Sequence, residues 1–285
     1  MSLYYYGKPE NDGTWEAVAN IFADHDSVNS ERTSSLPLVQ FWQPCENGLS
    51  KCAEELLHAI GIVEGDFADL KYCFEFPVPV KAGRGKASMT DLMILTEQYT
   101  IAIEAKWTEY RKGYQKIKEW LQKGNQENKN MVLQGWISYI NQFLNQNDCE
   151  PIPNDNKKSI YDEIPYQLLH RMASACAIAV KSPQKRPIVV YQLFCDSVKL
   201  TQRLKTFSWE LEQAYRVLFS GKSPFTFLIA KISTEIIETD DMKEKENQNK
   251  IFNLMCNREV YKFNLPEIIW NSNRMRQESN HLVNF

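Results

Sequence analysis

The 285-residue sequence has no paired cysteine motif. Its seven cysteines are scattered along the chain, and no two of them form a C-x-x-C pair. Zinc sites and disulfide frameworks need cysteines at short, regular spacings, so the sequence indicates neither. An odd number of scattered thiols is typical of a reducing compartment, and we therefore expect a cytoplasmic protein.

The sequence also lacks a long hydrophobic run. No stretch approaches the about 20 apolar residues that span a membrane, and residues 1–14 carry no apolar signal segment. We therefore expect no membrane partner. With 43% hydrophobic and 24% charged residues, the composition is that of an ordinary globular protein. The length allows a substantial core, and we predict a single domain over residues 1–285.

Positive charge is scarce as well. The chain has 33 Lys and Arg residues against 36 Asp and Glu residues, which gives a net charge of −3. Affinity for a nucleic-acid backbone rests on Lys and Arg contacts, so this balance excludes a strong, stand-alone, non-specific DNA binder. Contacts with phosphate would have to be local, and an acidic metal site would be compatible with the balance.

What the sequence does contain is an apolar stretch, Ser88–Glu109, which a short polar turn divides into two runs. Such a pair of runs predicts a β-hairpin. If the turn is Glu97-Gln98, Leu95 pairs with Thr100, and the register of the whole hairpin follows from that pair.

This register brings three charged residues to one face of the hairpin. Asp91 falls directly opposite Glu104, and Lys106 points the same way because it lies two residues further along the strand. Two neighbouring carboxylates repel each other and need a cation, and a hard divalent metal is one that suits oxygen ligands. The opposite face is apolar and consists of Ile101, Ile103, Ala105 and Trp107.

An acidic residue followed two positions later by Lys is common by itself. It occurs five times here, and four of the five lie in polar stretches or at the edges of elements, where solvated charges need no explanation. Only Glu104 and Lys106 lie in an apolar, β-branched run with an Asp opposite. This context favours a catalytic role for the three residues.

Asp91 together with Glu104-Ala105-Lys106 resembles the signature of the PD-(D/E)XK nuclease superfamily, although Thr90 stands where that superfamily has its Pro. The resemblance implies an α/β protein with a restriction-endonuclease-like αβββαβ core at about residues 44–195. A mixed central sheet would be flanked by helices, and residues 196–285 would be C-terminal additions.

The resemblance also implies an activity, that of a Mg²⁺- or Mn²⁺-dependent nuclease acting on nucleic acid, most commonly DNA. Asp91 and Glu104 would hold the metal, and Lys106 would position or deprotonate the attacking water. In many superfamily members a Glu on the first core helix is a third ligand, which here would be Glu46 in a helix predicted over Glu46–Ile60. Alternatively, Glu46 only favours a helix N-terminus through the dipole.

A basic loop precedes the hairpin. Lys81–Lys86 combines glycines with Arg84 and Lys86, a composition suited to contacts with phosphate. The same composition is also that of an ordinary flexible solvent loop, so both interpretations stay open.

A second candidate surface lies on a helix predicted over Tyr166–Val180, which is apolar almost all round. Its exceptions form one polar stripe at helical spacing. We expect this stripe to face solvent, as in most amphipathic helices. The functional alternative places it in the cleft, with Arg171 binding a phosphate through its planar fork. The stripe consists of Gln167, His170, Arg171 and Ser174.

The remaining periodicities predict the rest of the architecture. Strands are expected at Leu36–Gln43, Tyr72–Val80, Pro187–Cys195 and Phe225–Ile232, and helices at Met131–Leu144 and Leu200–Phe219.

Two other classes of protein are compatible with the sequence. One is a catalytically inactive nucleic-acid-binding or scaffolding member of the same fold. The other is a metal-independent structural protein in which Glu104 and Lys106 form a buried ion pair. For a nuclease we expect a homodimer or a partner protein, because cutting both strands needs two sites or two events.

Overall fold

The protein is described by a computed structural model that covers residues 2–5, 7–9, 14–15, 17–18, 34–45, 48–107, 113–153, 159–182, 184–196, 202–219, 225–237 and 260–273. These residues form one nine-stranded mixed sheet with helices on both faces. The predicted α/β class with a mixed, helix-flanked sheet is therefore confirmed.

The elements have the following bounds. The strands are β1 (Ser2–Tyr5), β2 (Lys8–Pro9), β3 (Lys71–Val78), β4 (Ser88–Leu95), β5 (Tyr99–Lys106), β6 (Arg186–Asp196), β7 (Thr226–Ile236), β8 (Tyr261–Phe263) and β9 (Glu267–Asn271). The described α-helices are α1 (Ser35–Trp42), α2 (Lys51–Ala59), α3 (Ile117–Leu121), α4 (Gln126–Gln146), α5 (Tyr166–Ala179) and α6 (Gln202–Phe219).

The strand order is β2-β1-β3-β4-β5-β6-β7-β8, and β9 also pairs with β7. β3, β4 and β5 form an antiparallel meander, whereas β5, β6 and β7 are parallel. β5 is thus a central strand with an antiparallel neighbour on one side and a parallel neighbour on the other.

Two hydrophobic cores lie on the two faces of this sheet. The first contains the buried sides of α4, α5 and α6, together with Met93, Ala102 and Tyr191 from the strands. The second contains α1 and α2 against the opposite sides of β3, β4 and β5. The helices of the first core are the ones that cover the charged side chains of the hairpin.

The predicted hairpin register is confirmed. β4 and β5 pair Leu95 with Thr100, and the ladder continues to Leu92 opposite Ile103. The turn is held by the hydroxyl of Thr96, which accepts hydrogen bonds from the N–H groups of Gln98 (3.1 Å) and Tyr99 (2.8 Å). The predicted apolar face is confirmed as well, because its four residues all lie in the second core.

The strand predicted at Leu36–Gln43 was wrong, since these residues form helix α1. Six of its eight residues are buried, so the helix is apolar on nearly every side. A short, fully buried segment has no polar face that would reveal a helical or strand period. Gln40, the polar residue within helix α1 after Ser35, bonds through its amide to the backbone of Val260 and Tyr261.

Two helix boundaries also differ from the predicted ones. Helix α2 begins at Lys51 rather than near residue 46, because Gly48 has a φ of +116° and Ser50 caps the helix by accepting a bond from Ala53 N. Helix α4 begins five residues before Met131, where Asn125 provides the N-terminal cap. The proposed ligand Glu46 lies outside the described residues.

No helix in the described part of the chain is both long and apolar enough to cross a membrane. The six cysteines within it are all free thiols.

Candidate active site

The three charged residues of the hairpin lie together where β4 begins and β5 ends. The pairing of Leu92 with Ile103 places Asp91 opposite Glu104, as predicted. Glu104 is completely buried, whereas the Lys106 side chain is 13% exposed and that of Asp91 is 25% exposed. The site is therefore closed to solvent at Glu104 and open to solvent at Asp91.

Helix α5 contributes Arg171, whose side chain is only 4% exposed. Its Nε donates to Glu104 Oε2, its Nη2 donates to Asp91 Oδ1 at 2.9 Å, and its Nη1 donates to the carbonyl oxygen of Met89 at 2.5 Å. The guanidinium thus links both carboxylates to the backbone of β4. Its fork holds two carboxylates, where the functional alternative from the sequence had it binding a phosphate.

The expectation that the polar stripe of α5 faces solvent was wrong. His170, Arg171 and Ser174 are buried, and Gln167 is half-buried. The His170 ring lies 4.9 Å from that of Trp136, and its Nδ1 is 3.4 Å from Ser88 Oγ. Most of helix α5 is buried, and its His170 and Arg171 side chains contact β4.

The remaining oxygens of the two carboxylates also have partners. Asp91 Oδ2 accepts a hydrogen bond from the backbone N–H of Ala105 at 2.9 Å. Glu104 Oε1 lies 2.5 Å from Lys106 Nζ. Each carboxylate is therefore fixed in orientation by one contact within the hairpin and by one contact to Arg171.

These contacts oppose the effect of burial on the pKa values of the two carboxyl groups. Burial raises the pKa of Glu104, but Arg171 and Lys106 outweigh it and bring the pKa to about 2. Burial also raises the pKa of Asp91, and the neighbouring charge of Glu104 adds to the increase, while Arg171 opposes it. The guanidinium of Arg171 stays charged, since Glu104 and Asp91 together outweigh the effect of burial and raise its pKa.

Glu75 is a further acidic residue at this site, and the sequence reasoning missed it. The pairs Phe74–Leu92 and Phe76–Thr90 place Glu75 opposite Asp91, and its φ of +46° is unusual for a residue with a side chain. Burial, followed by repulsion from Asp91, raises its pKa to about 7. The sequence signal that could have identified Glu75 was its position in the strand predicted over Tyr72–Val80. Side chains alternate along a strand, so Glu75 lies on the same face as Cys73.

The basic loop is held in place against α4. The backbone N–H of Arg84 donates to Asn128 Oδ1, and the Asn128 amide donates to the carbonyl of Arg84, both at 2.6 Å. Gly83 has a φ of +82°, and a Cβ there would lie 2.9 Å from Val132. The loop is thus docked on α4, and the side chains of Arg84 and Lys86 are exposed.

The donor chemistry suits a hard divalent cation, because Asp91 and Glu104 offer carboxylate oxygens and Asp91 is open to solvent. Within the described residues, however, no group of three His, Cys, Asp or Glu side chains is arranged to hold a metal ion. The two carboxylates are instead neutralised by Arg171 and Lys106.

Comparison with known proteins adds a family assignment. The sequence profile of the family described as "Domain of unknown function (DUF6946)" matches residues 13–222, which is 210 of the 285 residues. The chain belongs to this family. The match includes all the site residues described above. No curated protein and no solved structure gives a significant match.

Proposed function

We propose that this protein is a divalent-metal-dependent nuclease that hydrolyses phosphodiester bonds, with DNA as the favoured substrate. The observation that supports the proposal best is the convergence of Asp91, Glu104 and Lys106 on one face of an otherwise apolar hairpin. A buried carboxylate pair beside an ammonium is costly to maintain, so it indicates a function.

The order of elements supports a restriction-endonuclease-like core. Helix α2 precedes the antiparallel strands β3, β4 and β5, helices follow, and β6 then pairs in parallel with β5. This is the αβββαβ order that the sequence resemblance implies.

Each side chain of the site would have a defined role. Asp91 and Glu104 would hold Mg²⁺ or Mn²⁺, which when bound supplies a Lewis acid and lowers the pKa of a bound water. The N–H of Ala105 orients Asp91, and the low pKa of Glu104 keeps that carboxylate ionised. Lys106 would hold or move a proton at its Nζ, or neutralise charge that develops on the phosphate.

Contacts with the nucleic-acid backbone would come from the docked basic loop. Lys86 lies two residues before β4, the strand that carries Asp91, and both Arg84 and Lys86 are exposed. Gln167 remains a weaker candidate on the half-buried part of α5. A cytoplasmic location and a homodimer or partner protein stay predictions.

A second candidate function is a catalytically inactive nucleic-acid-binding or scaffolding protein of the same fold. It is favoured by the two cations at the site, since Arg171 and Lys106 neutralise both carboxylates without a metal. In that case the cluster would serve as a structural ion network.

Plasmid cleavage separates the two candidates. Wild-type protein should nick or linearise supercoiled DNA with millimolar Mg²⁺ or Mn²⁺ and should be inactive in EDTA. Asp91→Asn and Lys106→Met should each lower the rate by at least about a hundredfold, the scale of losing a metal ligand or a general base. Glu104→Ala is less informative, because removing one of the two carboxylates that neutralise buried Arg171 should destabilise the fold by about 3–5 kcal/mol.

Two exposed residues provide matched controls. Asp148→Asn changes a carboxylate at a positive φ, where Asn is tolerated, and Lys123→Met removes an exposed ammonium. Both should cleave at the wild-type rate. Metal-independent cleavage, or full activity of Asp91→Asn, would contradict the assignment, and a protein that binds DNA without ever cutting it would support the second candidate.

A further inference from the structure

Arg171 contacts both of the carboxylates that the proposed function assigns to a metal. Its Nη2 and Nε take one oxygen from each of Asp91 and Glu104, the two carboxylates assigned above as metal ligands. The Arg171 side chain is only 4% exposed, and it makes a third bond, to the carbonyl oxygen of Met89. The packing of the site therefore holds Arg171 against the carboxylates.

The charge of the site is balanced in this state. Asp91 and Glu104 carry two negative charges when both are ionised, and Arg171 and Lys106 carry two positive charges. Buried charges of one sign need such compensation, because desolvation is otherwise not repaid. A divalent cation bound by Asp91 and Glu104 would meet Arg171 at Asp91 Oδ1 and Glu104 Oε2, and Lys106 at Glu104 Oε1.

We propose that Arg171 is the resident counter-ion of the two carboxylates and that a divalent metal binds only when Arg171 gives up its hold on them. This inference rests on the proposed function and concerns how the same site is regulated. Metal and guanidinium then compete for Asp91 Oδ1 and Glu104 Oε2, so the metal-free protein is ordered but weak in metal affinity. The cost of displacing Arg171 sets the metal concentration at which the site becomes loaded.

Two features of Arg171 suit such an exchange. The side chain projects from α5, whereas the two carboxylates that it contacts lie on β4 and β5. Its planar fork, once released, matches a phosphate as well as it matches a carboxylate pair. Lys106, by contrast, lies on the same strand as Glu104 and contacts Oε1, an oxygen that Arg171 does not use.

Calorimetric titration with Mn²⁺ and with Mg²⁺ tests the competition without any activity measurement. Arg171→Met should bind either metal about tenfold or more tightly than the wild type, the size of effect that one neighbouring charge has on the affinity of a carboxylate for a proton. Arg171→Lys keeps the charge but lacks the planar fork of the guanidinium, so its affinity should be intermediate. Arg216→Met removes an arginine that pairs with Glu212 elsewhere on the surface and should leave the affinity unchanged.

The outcomes are distinguishable. Tighter binding by Arg171→Met, or detectable binding only in that variant, supports the exchange. If neither Arg171 variant binds metal more tightly than the wild type does, the exchange is overturned. The proposed function stays intact in that case, because Arg171 would then support the ligands. Absence of metal binding in all variants overturns the proposed function together with the inference.

If Arg171→Met does not fold, Arg171→Lys and a spectroscopic measurement keep the proposal testable. The Nε–H of Arg171 donates to buried Glu104, so it should give a resolved, slowly exchanging NMR signal that is missing in Arg171→Lys. Saturating Mg²⁺ should shift this signal strongly or expose it to solvent exchange. A signal that is unchanged at saturation would overturn the displacement.

Discussion

At the scale of single residues, the surroundings of the carboxylates decide the direction in which each pKa moves. Glu104 is the more deeply buried of the hairpin pair, yet its pKa is lowered, because two cations contact it directly. From repulsion alone, removing either carboxylate would be expected to relieve strain. The contacts reverse this expectation for Glu104, whose removal takes one of two carboxylate partners from the buried guanidinium of Arg171.

Glu75 is compensated less well, because Arg171 and Lys106 lower its pKa without contacting it. Its carboxyl makes no hydrogen bond or ion pair to the described part of the chain, and its pKa is about 7 against an ordinary value of 4.5. The folded protein therefore binds this proton more tightly than the unfolded chain does. The resulting stabilisation is complete below pH 4.5 and is lost as the pH rises through about 7.

We therefore expect Glu75→Gln to become more stable relative to the wild type as the pH rises. Between about pH 5 and about pH 8 the difference in unfolding free energy should grow by about 2–3 kcal/mol in favour of the variant. Urea denaturation in EDTA measures it. The control Glu97→Gln, in the exposed hairpin turn, should show the wild-type dependence of unfolding free energy on pH. Parallel pH profiles for Glu75→Gln and the wild type would contradict the raised pKa of Glu75.

At the scale of elements, the hairpin was predictable because its information is local. The alternation of side chains and one turn position determine the register, and the register brings Asp91 to Glu104. Arg171 was not predictable as their partner, since it lies 67 residues from Glu104 in the chain. Only the packing of α5 on β4 and β5 shows that its polar stripe faces inward.

The turn chemistry explains why this hairpin forms without a favoured Asn-Gly or Asp-Gly pair. The Thr96 hydroxyl accepts the N–H groups of Gln98 and Tyr99, so Glu97 and Gln98 need no special backbone conformation. A sequence search for glycine-containing turns overlooks this device.

The turn gives a matched pair of variants. Thr96→Val should lower the unfolding free energy by about 1–2 kcal/mol, because it leaves two backbone donors without their acceptor. Thr100→Val in the same hairpin should be neutral or stabilising, since the buried hydroxyl of Thr100 has no partner among the described residues. Chemical denaturation of both variants measures the contrast. Equal losses would show that the hydroxyl of Thr96 does not hold the turn.

At the scale of the whole molecule, the sheet extends beyond the residues that the family profile matches. The family match ends at residue 222, but β7 follows it and pairs with β6 over nine residues. Residues Phe227 to Ala230 of β7 are fully buried, and they alternate between the two cores. Gln40 of α1 also bonds to the backbone of Val260 and Tyr261, which ties helix α1 to the last part of the described chain.

These contacts predict that a chain ending at residue 222 cannot fold cooperatively, although it retains every site residue. Without β7, the apolar edge of β6 would be exposed, and such an edge favours aggregation. Size-exclusion chromatography and urea denaturation should show aggregates or a broad transition, whereas full-length Gln40→Met should unfold cooperatively but at lower urea, because it leaves buried backbone groups unpaired. A monomeric 1–222 fragment with the wild-type midpoint would show instead that β7, β8 and β9 are dispensable additions.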